Sequence, residues 1–84
     1  MKVGQLVRYT GEFLRSIGVY TGAPENGIIV EMHSPKFARV WWCDMDAGES
    51  MLVNVANLEL HHSNKYVQQV TRDNLLLEFN EAMV

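Results

Sequence analysis

Four residues of the types that bind transition metals, His33, Cys43, His61 and His62, are scattered along the chain, and their spacing decides what they can do. Zinc sites need pairs such as Cys-x-x-Cys or His-x-x-x-His, so that two donors leave one turn or helix face together. Neither pattern occurs, and consecutive histidines on an extended backbone point apart. Solvent-exposed loop histidines are the expected outcome, with no metal and no cofactor. Asp44, Asp46 and Glu49 crowd one short stretch, a grouping that suits acid/base work or weak cation binding, but the ~12-residue ligand pattern of an EF-hand is absent. A solvated hairpin tip accounts for them. To act as a nucleophile, Cys43 needs a nearby base and a lowered thiol pKa, and the sequence puts no basic cluster or helix N-terminus beside it. It reads as a small, partly buried filler. A Gly-x-x-x-x-Gly-Lys phosphate loop and a Gly-x-Ser-x-Gly elbow are also missing, so enzymatic activity is not expected.

The chain has 84 residues, 48 % hydrophobic and 20 % charged, with a formal net charge of −3. One domain is the natural content of that length, since a domain this small buries only about 60 to 65 % of its unfolded surface. With Cys43 as the single cysteine, no intramolecular disulfide can form, which suits a reducing compartment. No apolar run approaches the ~20 residues that span a bilayer, and the stretch from Met1 to Gly4 lacks a signal-peptide core, so a soluble, unsecreted protein is expected. Charge is uneven. Residues 1–43 carry five basic and three acidic side chains, whereas residues 44–84 carry two basic and seven acidic. Nucleic-acid binders cluster Lys and Arg on one face, and no such cluster is present.

The elements that would position these groups are mostly short strands. Residues 3–9 read as a first strand, followed by a long connection, residues 10–26, interrupted by Gly11, Gly18, Gly22 and Pro24. Connections of that length tend to be functional, and Phe13, Leu14, Ile17, Val19 and Tyr20 make this one apolar. An irregular hairpin packed across the end of a barrel is the expectation. Residues 27–32 form the second strand, with Ile28, Val30 and Met32 on one side and Ile29 and Glu31 on the other. After a turn at His33 to Lys36 comes the strongest strand signal in the chain, Phe37-Ala38-Arg39-Val40-Trp41-Trp42-Cys43. A fourth strand at 50–55, with Met51, Val53 and Val55 inward, leads through a 3₁₀ turn to a short last strand, 58–60, with both leucines inward. Beyond it, residues 61–65 form a polar connector. From Thr71 or Asp73 a helix over 74–83 would align Leu75, Leu76, Phe79, Ala82 and Met83. The rival arrangement pairs residues 66–70 with 75–79 as a hairpin.

Trp41 and Trp42 are neighbours on a strand and must leave it on opposite sides. Trp42 is expected in the core and Trp41 outward beside Phe37, Arg39 and Ile29, either as an aromatic contact patch for a partner or covered by the first connection or the tail.

Five short strands, a long first loop and a 3₁₀ turn before the last strand predict a mainly β protein, a small five-stranded SH3-like barrel over residues 1–60 with a C-terminal extension over 61–84. The stretches Val3-Gly4-Gln5-Leu6-Val7, Gly27-Ile28-Ile29-Val30-Glu31, Ala38-Arg39-Val40-Trp41-Trp42 and Val53-Asn54-Val55-Ala56-Asn57-Leu58-Glu59 together resemble the small SH3-like barrel proteins of tailed bacteriophages, especially those of marine bacteria. Many of those have Asp where this chain has Gln5. The resemblance implies a host cytoplasm or virion location and a minor virion component or an adaptor to a host protein. The expected function is therefore a non-catalytic protein-interaction module, binding a virion or host protein through an aromatic barrel face and an apolar tail, with tail exchange as a route to a homo-oligomer. Its contact residues would be Phe13, Ile29, Phe37, Arg39, Trp41, Leu75, Leu76 and Phe79. The alternative is a nucleic-acid-associated barrel using Arg8, Arg15, Lys36 and Arg39, with Tyr9 and Trp41 as stacking surfaces.

Overall fold

A computed structural model describes residues 1–45, 50–61 and 65–82, with the backbone alone for 65–68 and 82. Five strands, β1 (Leu6–Tyr9), β2 (Gly27–Met32), β3 (Phe37–Trp42), β4 (Met51–Asn54) and β5 (Leu58–Leu60), form one antiparallel sheet in the order β4-β3-β2-β1-β5. Among the described residues β4 pairs only with β3 and β5 only with β1, so the sheet is open. A short helix, α1 (Gly11–Ser16), follows β1, a 3₁₀ turn (Val55–Asn57) precedes β5, and a long helix, α2 (Lys65–Ala82), ends the chain.

Both faces of this sheet are apolar, and each has its own core. On one, Val7, Ile29, Ala38, Val40, Trp42, Val53 and Leu58 are buried together, with Tyr9, Met32 and Val55 around them. Val53 lies on one edge strand and Leu58 on the other, and a six-residue α1 with no buried residue is too small to cover both. The sheet must curl to seal that side. A β-bulge between Ile29 and Glu31 supplies part of the bend. The extra residue also resets the alternation. Met32, expected beside Ile28, falls instead on the Ile29 side.

The curl leaves no spare room where β2 meets β3. A Cβ on Gly27 would sit 2.7 Å from two carbons of the Trp42 ring and 2.9 Å from Val40 Cγ1, so only glycine lets the indole lie flat on the backbone there.

On the opposite face Leu6, Ile28 and Trp41 are buried under Leu75 of α2, with Val30, Cys43, Leu76 and Phe79 at the margin. Leu75, Leu76 and Phe79 recur at the helical spacing, and the Phe79 ring meets Trp41 edge-on at 5.6 Å between centroids and 65° between planes. The helix is longer than the sequence suggests. Val70 and the strand-like stretch before it belong to α2, because the strand preference of β-branched and aromatic residues is a weak local bias once a packed stripe has nucleated the helix. Met83 and His62 lie outside the described residues, as do Asp46 and Glu49.

Other expectations need correction. The first connection begins as a helix, not an irregular hairpin. Thr10 caps it, its Oγ1 accepting from Phe13 N at 3.1 Å, and Gly18 closes it at φ +75°. Cap and glycine were both readable as helix ends. Met51 and Leu60 are 40 % and 48 % exposed instead of inward, because each is the terminal residue of an edge strand, beyond the Val53 and Leu58 that close the core.

Gly27→Ala is expected to lower stability by about 1 to 3 kcal/mol through overpacking against Trp42, read as a lower urea midpoint. Trp41→Ala and Phe79→Ala should each cost about 3 to 5 kcal/mol at most, and the double variant should lose less than the two together by about 0.5 to 1.5 kcal/mol. Additive losses would show that the two rings do not stabilise one another.

Candidate functional site

The residues expected to make one contact surface are divided by the fold among three places. Trp41, Leu75, Leu76 and Phe79 satisfy one another inside the chain, and Trp41 is 6 % exposed. Trp41 does leave the strand opposite Trp42, but α2 covers it. Ile29 is fully buried and lies on the other face, because its cross-strand partner is Val40 and that of Ile28 is Trp41. Phe13 is half-buried on α1, tilted against Tyr9 at 5.1 Å. That leaves Phe37 and Arg39 accessible, on a part of β3 that α2 does not reach with a buried side chain.

A second surface, which only the apolar composition of residues 10–26 hinted at, is a groove of about 340 Å³ between the first connection and strands β1 and β5. Its construction can be followed along the chain. Tyr9 stacks on Trp42 at 4.7 Å and 26°, which fixes the end of β1 to the core. Thr10 N–H donates to the Asn57 carbonyl at 2.9 Å, tying the start of α1 to the 3₁₀ turn. Past α1, Val19 N–H donates to the Leu14 carbonyl at 2.9 Å, and the chain arches back toward β2. The far end of the arch is held by Asp44. Its carboxylate accepts from Glu25 N at 3.2 Å, Asn26 N at 2.9 Å and Asn26 Nδ2 at 3.0 Å. Asp44 is therefore a structural anchor, where the sequence suggested only a solvated tip.

Leu14, Val19, Ala23 and Pro24 give the groove apolar walls, and Tyr20 stands at its rim, 80 % exposed. On the floor Arg8 Nε donates to Glu59 Oε1 at 2.8 Å. With nearly half of each side chain exposed, that pair adds no more than about 1 kcal/mol to stability. Its use is geometric, since it holds a donor array and an acceptor in fixed positions beside the apolar walls. Burial raises the Tyr9 hydroxyl pKa above its ordinary value, while the nearby Trp42 indole N–H, without reaching hydrogen-bond geometry, pulls the other way. Tyr9 stays neutral and can donate.

Compared with models of protein families, with curated proteins and with solved structures, the chain matches none. The chemistry must be read from the groups themselves. Among the described residues no three His, Cys, Asp or Glu side chains come together to hold a metal ion, and no helix is long and apolar enough to cross a membrane. Cys43 is half-buried at the margin of the α2 face. Burial first, then the negative charges of Asp44 and Glu78, push its thiol up to about 11 from an ordinary 9.0. Raising a thiol pKa favours the neutral form, so at neutral pH the nucleophilic thiolate is scarce.

Alkylation of Cys43 by iodoacetamide at pH 7.5 is accordingly expected to run about a hundredfold slower in the folded protein than in the urea-unfolded chain, and to accelerate as pH rises toward 11. Equal rates would mean that the thiol is neither buried nor flanked by these carboxylates.

Proposed function

We propose that the protein is a non-catalytic protein-interaction module on an SH3-like scaffold, taking a short segment of its partner in the groove under the first connection. The order of elements supports the scaffold: a first strand, a long connection, a three-strand meander, a 3₁₀ turn and a last strand that pairs back to the first. The setting implied by the bacteriophage resemblance is an accessory virion component or an adaptor to a host protein.

One observation carries the choice of site. Tyr20 holds a large aromatic ring almost wholly in water at the rim of a concavity of mixed polar and apolar lining, with the Arg8–Glu59 ion pair on its floor. A hollow that sets oriented polar groups among apolar side chains is a usual form of ligand site, and tyrosine is over-represented among the residues that dominate binding energy. The apolar tail has a different role from the one expected of it. Its stripe covers Trp41, which completes the scaffold and leaves the first connection to bind. The nucleic-acid alternative calls on Tyr9 and Trp41 for stacking, and both rings are engaged within the chain.

Selection of a random peptide library against the folded protein tests this reading. Enriched peptides should bind with an affinity that Tyr20→Ala weakens by at least about tenfold, with thermal unfolding unchanged because Tyr20 supports nothing in the core. No enriched sequence, or peptides that bind the Tyr20→Ala variant equally well, would sink the proposal.

A further inference from the structure

The two edges of the sheet are not alike. β5 is three residues long, and its one charged side chain, Glu59, is tied to Arg8 on the neighbouring strand. β4, Met51-Leu52-Val53-Asn54, ends the sheet on the other side with no charge, no proline and no bulge, so of the devices that keep an edge from pairing it has only its short length. Every second residue of an edge strand turns its N–H and C=O outward, and those groups want partners.

Beside this edge lies a strip of the α2 face of the sheet that α2 leaves bare. Phe37 is 39 % and Leu52 46 % exposed. Arg39 stands between them, half-buried, with Leu52 as its neighbour on β4 and Glu31 on β2. Although Glu31 is the cross-strand neighbour, it makes no ion pair with Arg39. The ion pairs among the described residues are Arg8 with Glu59 and Arg72 with Asp73. A half-buried guanidinium beside Phe37 and Leu52 that forms no ion pair with a carboxylate among the described residues is charge left over in a protein that is otherwise acidic. Lys36, exposed at the end of the strip, adds to it.

We propose that the open edge of β4 accepts an extended, carboxylate-bearing segment of another protein as a sixth strand, with Arg39 pairing its carboxylate. In such an addition the main chain supplies the ladder hydrogen bonds and alternate side chains supply the choice of sequence. An Asp or Glu of the added strand on the α2 side comes within reach of Arg39, whose planar fork matches a carboxylate, and an apolar residue two positions away covers Leu52 and Phe37. This surface is separate from the groove under the first connection, and neither depends on the other.

The test uses the whole ¹⁵N-labelled protein and short peptides of alternating Thr and Val, with alternate amides N-methylated so that only one edge can pair. Three peptides carry Glu, Gln or Lys at one central position. Amide shifts are expected on β4 and the facing part of β3, with the Glu peptide binding at least about tenfold tighter than the Lys peptide. Arg39→Gln should erase that preference while leaving the Gln peptide's affinity as it was, a result that a general loss of folding would not produce. Tyr20→Ala should change none of these affinities. Absence of shifts on β4 at millimolar peptide overturns the proposal, as do equal affinities for the Glu and Lys peptides. So does a free protein that sediments as a dimer with its β4 amides protected from exchange, because the edge then belongs to a second copy.

Discussion

Two adjacent indoles on one strand set the terms for the whole molecule. Trp41 and Trp42 leave β3 on opposite sides, so the sheet carries a large apolar ring on each face and neither face can be left to water. The two sides are solved differently. Bending, helped by the bulge in β2 and by the bare backbone at Gly27, lets the open sheet pack side chains from all five strands around Trp42. Around Trp41 curvature works in the wrong direction, and a separate element, α2, has to be laid across. The sheet alone would present Leu6, Ile28 and Trp41 to solvent, which makes the C-terminal helix part of the core.

That division of labour explains where apolar surface remains exposed. A helix seats one stripe, here Leu75 with Leu76 and Phe79, and that stripe reaches Leu6, Ile28 and Trp41 but not the outer part of β3 or β4. Phe37, Arg39 and Leu52 are left over. At the other end of the sheet, Tyr9 is held by Trp42, so α1 and the arch that follows it are anchored to the core at one end and to Asp44 at the other. The arch spans a hollow because only its two ends are fixed. A rigid scaffold with a loop stretched across it is a common way for a small domain to hold apolar side chains ready for a partner.

Charge follows the same plan. Among the described acidic residues of the second half, Asp73, Glu78 and Glu81 lie on α2, Glu59 lies on β5, and Asp44 with Glu78 raises the Cys43 thiol and keeps it unreactive. Fixed pairs are few among the described residues, and the one at the groove floor, Arg8 with Glu59, joins β1 to β5.

From the amino-acid sequence alone came the positions of β2, β3, β4, the 3₁₀ turn and β5, because alternation, β-branched runs and turn residues act within a few positions of one another. The opposite orientations of Trp41 and Trp42 followed from local geometry as well. Whether Trp41 met solvent, a partner or its own tail is a question of contacts between residues more than thirty positions apart, and no local pattern encodes it. The bulge that moved Met32 to the other face, and Ile29 away from the expected contact set, is likewise a matter of cross-strand register. The length of α2 is a third case, since Val70 and the residues before it are helical only because the stripe beyond them has a sheet to seat on. Burial, register and docking are properties of the assembled sheet, and they decided which apolar residues became core and which remained exposed.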